Sequence, residues 1–276
     1  MGMGENSRRR KERKNERAKD LGDRGGMQPL FDKYGFVPHP LASDSVRMAH
    51  EGFAHCLLSA FDSMGGERPV GLVAIVMRWY REYDAIAGRQ PTQMAVVRDG
   101  ATVRLRLACA PGCNHCCVTP VSVIGPEAGL ISEYIKAKFT DDQIQELATR
   151  IQAREQIVKG RQDMNHMCPL NVDGKCSIYE VRPFNCRKWH SFDEAACRRG
   201  FIDEDKTVEI PRSAVRADAM GIFWQTASAV LGTLGFETDD VDFIPALKIA
   251  LVTREPIPRL ASGESLFTAV RWKTGG

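Results

Sequence analysis

Residues 168–197 read CPLNVDGKCSIYEVRPFNCRKWHSFDEAAC, with cysteines at 168, 176, 186 and 197. An upstream stretch, CAPGCNHCC at 109–117, answers them with Cys109, Cys113, Cys116 and Cys117. Eight of the nine cysteines fall in these two groups, and only Cys56 lies outside. In a short secreted chain such a density would be a disulfide framework. This chain has 276 residues, 43% of them apolar and 26% charged, enough to bury a core without cross-links. It shows no export signal, so metal ligation is the better reading.

The chemistry follows from the spacing. A Cys-x2-Cys turn lets two sulfurs converge at about 2.3 Å on one zinc ion, and turn N–H groups can hydrogen-bond the thiolates. Cys113 and Cys116 have that spacing. Cys116 and Cys117 are adjacent, and in extended backbone their side chains diverge, so both serving one mononuclear site is uncomfortable. Either a second metal centre is present or one of the pair is structural. Eight thiols fit two tetrahedral sites, and equally one cluster with spare cysteines. In the downstream group, Asp173-Gly174 makes a turn that presents Cys176. Pro183 restricts the backbone ahead of Cys186. Arg182 and Arg187 are placed to offset thiolate charge, or else pair with Glu180 or Asp193. His115, His166 and His190 lie among the cysteines and read as non-ligands. No His-x3–5-His follows at zinc-finger distance, and the first group differs in spacing from a bacterial ferredoxin run.

The segments Cys113-x2-Cys116-Cys117, Cys168-Pro-Leu and CSIYEVRPFNCR (176–187) resemble the YkgJ-type cysteine-cluster family, described as zinc- or iron-chelating domains. The likeness covers roughly residues 105–200. It departs at one place: three residues separate Cys109 from Cys113, where the family usually has two. The resemblance implies metal chelation and a bacterial origin, and no established reaction. A similar cysteine arrangement is associated with flagellin lysine methylases.

Outward from the cysteines the periodicity is mostly helical. Val46, Ala49, Phe53, Leu57, Ala60 and Phe61 form one apolar stripe; Leu72, Ile75, Val76, Trp79, Tyr83 and Ile86 form another. With the Gly65-Gly66 turn between them, they predict a helical hairpin. Cys56, beside the first stripe, reads as a core residue. Val103, Leu105 and Leu107 alternate with arginines, which predicts a half-buried strand after an Asp99-Gly100 turn, running into Cys109. Gly125-Pro126 opens a helix to about Phe139. Thr140 to Gln143 is a capping box that starts a second, ending near Gly160. Further helices are expected from past Pro211 to about Leu234 and over 244–252. The fold class expected is α+β, predominantly helical, with a small β-hairpin leading into a turn-rich cysteine site. The divisions are a disordered basic tail (1–26), a helical N-terminal extension (27–93), a metal-binding domain (94–205) and a helical C-terminal extension (206–276).

Residues 1–26 carry nine Lys/Arg against five Asp/Glu, whereas the rest carries 29 against 30. Nucleic acid is therefore a partner only through the tail, which lacks aromatic residues to stack on bases. No stretch approaches a membrane span, and Asn6 stands where a myristoylation motif needs Ser or Thr. The expected setting is cytoplasmic, with a metal ion as partner and no protein partner evident. Phosphate loops, dinucleotide fingerprints and His-Glu-x-x-His are absent, so catalysis stays open. Three readings remain: a zinc- or iron-chelating protein whose ligands come from Cys109, Cys113, Cys116, Cys117, Cys168, Cys176, Cys186 and Cys197; an iron–sulfur-cluster enzyme, methylase-like or redox; and a zinc-stabilised interaction module with a basic arm.

Overall fold

The computed structural model describes residues 24–38, 44–89, 92–98, 100–110, 112–160 and 165–272. Residues 1–23, most of the basic tail and the anion-binding arm read into it, lie outside them. Helix α1 spans Arg24–Tyr34, so the last residues assigned to a disordered tail are instead a first helical turn.

The two apolar stripes become α2 (Asp44–Asp62) and α3 (Arg68–Ala87), which pack on each other. Gly65 (φ 66°) and Gly66 (φ 73°) turn the chain between them in a conformation that favours glycine. The helices approach closely at Gly71, where an added Cβ would stand 2.4 Å from a ring carbon of Phe61. Gly71→Ala is therefore expected to cost about 1–3 kcal/mol through overpacking, read as a lowered melting temperature at unchanged helical content.

Helices α4 (Gly125–Lys138) and α5 (Asp141–Val158) follow. The capping box is formed: Thr140 N–H donates to Gln143 Oε1 (2.9 Å), and Gln143 N–H to Thr140 Oγ1 (3.3 Å). After the cysteine region, which holds the one-turn helices α6 (Phe184–Arg187) and α7 (Glu194–Cys197), α8 (Ala214–Thr233) packs across α2 and α3. Helices α9 (Phe243–Val252) and α10 (Pro256–Ala261) close over α4. One apolar core joins residues from Phe31 to Phe267. At its centre Trp79 stacks on Phe184 (4.6 Å between rings), which ties α3 to the cysteine region.

Three two-stranded antiparallel sheets complete the α+β fold. Strands β1 (Gln93–Arg98) and β2 (Ala101–Arg106) form a ribbon with Arg98 opposite Ala101, while Asp99 of the expected turn lies outside the described residues. Its burial differs from expectation. All of β2 except the half-buried Leu105 is exposed, so only one position of the strand finds partial cover. Strand β3 (Ser122–Ile124) pairs with β6 (Asp240–Asp242), and β4 (Asn171–Val172) with β5 (Lys175–Cys176). No helix among the described residues is long and apolar enough to cross a membrane.

Candidate metal centre

All nine cysteines are free thiols. Cys116 and Cys117 share one 3-10 turn, His115–Val118, in which adjacent side chains project about a third of a turn apart. The downstream segment is stitched to that turn. The N–H of Cys168 donates to the Cys117 carbonyl, and that of His166 to the Val118 carbonyl, both at 2.9 Å. Beyond it, Asp173 (φ 50°) and Gly174 (φ 78°) make the two-residue turn between Val172 and Lys175. Positive φ at both positions is the hairpin geometry that suits strand twist, and it delivers Cys176 opposite Asn171.

Cys186 is placed by a short helix with a long reach into the core. Pro183 precedes α6, and its carbonyl accepts from the N–H groups of Cys186 (2.9 Å) and Arg187 (3.0 Å). The first N–H of α6, from Phe184, donates to the fully buried carboxylate of Glu127 (2.7 Å). Glu127 also accepts from the Tyr80 hydroxyl (2.7 Å) and the Ile124 N–H (3.2 Å). One buried acid thus fixes α4, α3 and α6, which carries Cys186, to each other. Burial holds its carboxyl above the usual range, against the pull of these donors.

Cys117, Cys168, Cys176 and Cys186 come together, every one of the four close enough to act electrostatically on the other three. Burial pushes the Cys168 thiol up to about 12 and raises Cys176 and Cys186 as well. The N–H of Leu170 donates to the Cys168 sulfur and that of Ile178 to the Cys176 sulfur. Each donor lies two residues after its cysteine, a second shell of the kind that steadies a bound thiolate. Cys117 is held low, at about 6, first because the Cys116 thiol donates to it and then through the Asn171 side chain, Arg182 and His115.

These four sulfurs, with Cys113 and Cys116 beside them, border a cavity of about 100 Å³. Its remaining wall is largely apolar, with Val121, Leu170, Ile178 and Phe243. Arg154 and Arg182 also line it, and neither Nε has a hydrogen-bond partner among the described residues. Arg182 lies over the Tyr179 ring (4.1 Å) and opposes the effect of burial at Cys176 and Cys186. Arg187 is largely committed elsewhere: it pairs with Asp84 and donates to the carbonyls of Glu180 and Arg182.

Of the other predicted ligands, Cys109 and Cys197 meet at Ser191. Its N–H donates to the Cys109 sulfur (3.2 Å), and its hydroxyl lies in hydrogen-bond reach of Cys197. Cys113 is near enough to act on both of those thiols. Cys56 stands apart on α2 beside Arg78. His115 pairs with Glu194 (3.2 Å), and His166 lines the cavity. Both ring nitrogens of His190 are engaged, with the Lys188 carbonyl (3.0 Å) and the Ser213 N–H (2.9 Å). That pattern requires neutral imidazole, in line with the lowering of its pKa by burial.

Among the described residues, no three or more His, Cys, Asp or Glu side chains are gathered as a ligand set around one point. The thiols surround a space rather than meet. Their donor chemistry nonetheless fits a thiophilic metal, with soft sulfur, backbone N–H donors and a nearby cation. Arg154, Ser191 and Glu127 are contributors that cysteine spacing does not reveal. Arg154 leaves one trace: it falls on the buried stripe of α5 with Leu147, Ile151 and Val158, where a charge is out of place.

No protein-family model, no curated protein and no solved structure matches this chain significantly.

Proposed function

We propose that this is a zinc- or iron-chelating cysteine-cluster protein whose main centre is held by Cys117, Cys168, Cys176 and Cys186. The observation that carries the reading is the convergence of these four thiols from three separate segments on one partly apolar cavity, two of them with N–H donors two residues on. Burying four thiols together disfavours their ionisation, and a bound cation offsets that cost. The likeness of residues 168–170 and 176–187 to the YkgJ-type family supports the same reading. Thiol ligands must stay reduced, which places the chain in a reducing compartment such as the bacterial cytoplasm.

The cavity favours a second reading, an iron–sulfur-cluster enzyme. At about 100 Å³ it exceeds what one ion fills, given that a water needs only on the order of 10–15 Å³ on this measure. A cluster held there by the four cysteines would supply electron transfer, with Arg154 and Arg182 available to an anionic group.

Iron, zinc and acid-labile sulfide counted per chain on anaerobically purified protein test both. Colourless protein with stoichiometric zinc supports chelation and sinks the cluster. Brown protein with iron and sulfide supports the cluster, and protein free of metal sinks both. Cys56→Ser should leave the metal content unchanged, since Cys56 lies on α2 beside Arg78 and Glu82, apart from the cavity thiols.

A further inference from the structure

The cavity beside the thiols holds positive charge that the protein does not pair. Arg154 enters its wall from the buried stripe of α5 and is only 7% exposed. It has no hydrogen-bond or ion-pair partner among the described residues. A buried cation left in that state is costly, and a fold keeps one where something else completes it. Arg182 lines the same cavity, flat over the Tyr179 ring (4.1 Å) and with no described carboxylate to fork onto. Thr119 adds a buried hydroxyl to the wall, again without a partner among the described residues. The one acid in the lining is Asp242, on which Arg154 acts without pairing. Arg182 acts on Cys117, Cys176 and Cys186 and so serves the thiols as a counter-charge. Arg154 is the cation left to a ligand.

The geometry points to a second use of this cavity: Arg154, with the Thr119 hydroxyl beside it in the wall, binds the carboxylate of a small organic acid. A planar guanidinium presents paired N–H groups that match the two oxygens of a carboxylate. The wall supplied by Val121, Leu170, Phe243 and Ile244 suits a short aliphatic body, which a bare inorganic anion lacks. Size sets the upper limit. Benzene occupies an apolar cavity of about 150 Å³, so about 100 Å³ admits on the order of four or five heavy atoms, an acid of two or three carbons. The site is built from arginine and hydroxyl donors rather than sulfur, so it goes beyond the metal-binding reading and does not depend on it.

The test melts the full chain, purified anaerobically with its metal counted, in sodium propionate, sodium phosphate and sodium chloride at one pH and ionic strength. Propionate is expected to raise the melting temperature above that in chloride, by about 3–6 °C at ten times its dissociation constant. Phosphate should match chloride. Arg154→Met keeps the length of the side chain and removes the charge. It is expected to melt later than the parent in chloride, because an unpartnered buried cation is gone, and to lose the rise in propionate. An arginine with a purely structural role gives the opposite, a variant that melts earlier and keeps whatever rise the parent shows. The inference is overturned if propionate stabilises the parent no more than chloride does, a comparison that needs no variant to fold. It is also overturned if Arg154→Met keeps the full rise, or if phosphate stabilises where propionate does not. Metal-free protein that gains from propionate removes the proposed function and keeps this site. Metal-bearing protein that gains nothing does the reverse.

Discussion

Cys186→Ser is expected to empty the cavity centre and to destabilise the protein by at least about 4 kcal/mol, the range reserved for loss of a metal or a buried network. Serine matches the size of cysteine but offers no thiolate, and Cys186 lies on a helix whose neighbours Phe184 and Arg187 are buried. Binding free energy of a thiolate site is folding free energy, so the loss should be largest between 168 and 197, while the helical core around Trp79 keeps its signal in circular dichroism. Metal analysis and thermal denaturation with and without chelator read it. The pH dependence has a definite sign. Burial holds the Cys168 thiol up at about 12 and raises Cys186, so ligation at these positions expels protons. Affinity should fall as pH falls, and the parent should release metal on acidification. A Cys186→Ser protein with parental metal and melting temperature would refute the assignment.

The second large effect is expected at Glu127, which no metal reading singles out. Glu127→Ala leaves the Tyr80 hydroxyl and the N–H groups of Phe184 and Ile124 buried without acceptors. Each orphaned donor costs about 1–3 kcal/mol, and breaking a buried charged network costs about 3–5 kcal/mol in all. Glu127→Gln keeps a carbonyl acceptor and should cost less. Because Phe184 opens the helix that carries Cys186, metal should bind more weakly as well as the fold melting earlier. Burial raises the folded pKa of Glu127 above its unfolded value. Its protonated form therefore favours folding at low pH, and that contribution is lost as pH rises from the ordinary glutamate range through the raised value. The slope should be absent in Glu127→Gln. Equal stability of parent and alanine variant would show that the three donors find other partners.

The sequence discloses whatever depends on neighbours along the chain. The stripes of α2 and α3, the Thr140–Gln143 box and the Asp173-Gly174 turn are local patterns, and each forms where its residues predict. Alternation in β2 likewise marks a strand, but period does not say what covers it, and Val103 and Val97 stay exposed on an open ribbon. Helix α1 begins inside the charged tail and carries Pro29 within it, so its start is not marked in the sequence. The eight cysteines are visible at once, whereas their partition is not. It depends on the rotation of one 3-10 turn and on Ser191 reaching from the far side of the second group. Arg187 shows the same limit. Its place between two cysteines suggests a counter-charge, yet its partner Asp84 comes from a helix about a hundred residues earlier.

The interleaving of the thiols has a consequence for biosynthesis. The proposed cavity centre takes its first thiol from the stretch 109–117 and lacks its last until Cys186 emerges. At about 5–20 residues per second, the intervening seventy or so residues take on the order of 10 s to translate. For that interval the nascent chain carries four neighbouring thiols with no finished site to receive them, open to oxidation or to the wrong metal. On the metal-binding reading proposed above, loading is thus a late event, and a cell short of metal would accumulate chains that are translated but incompletely closed.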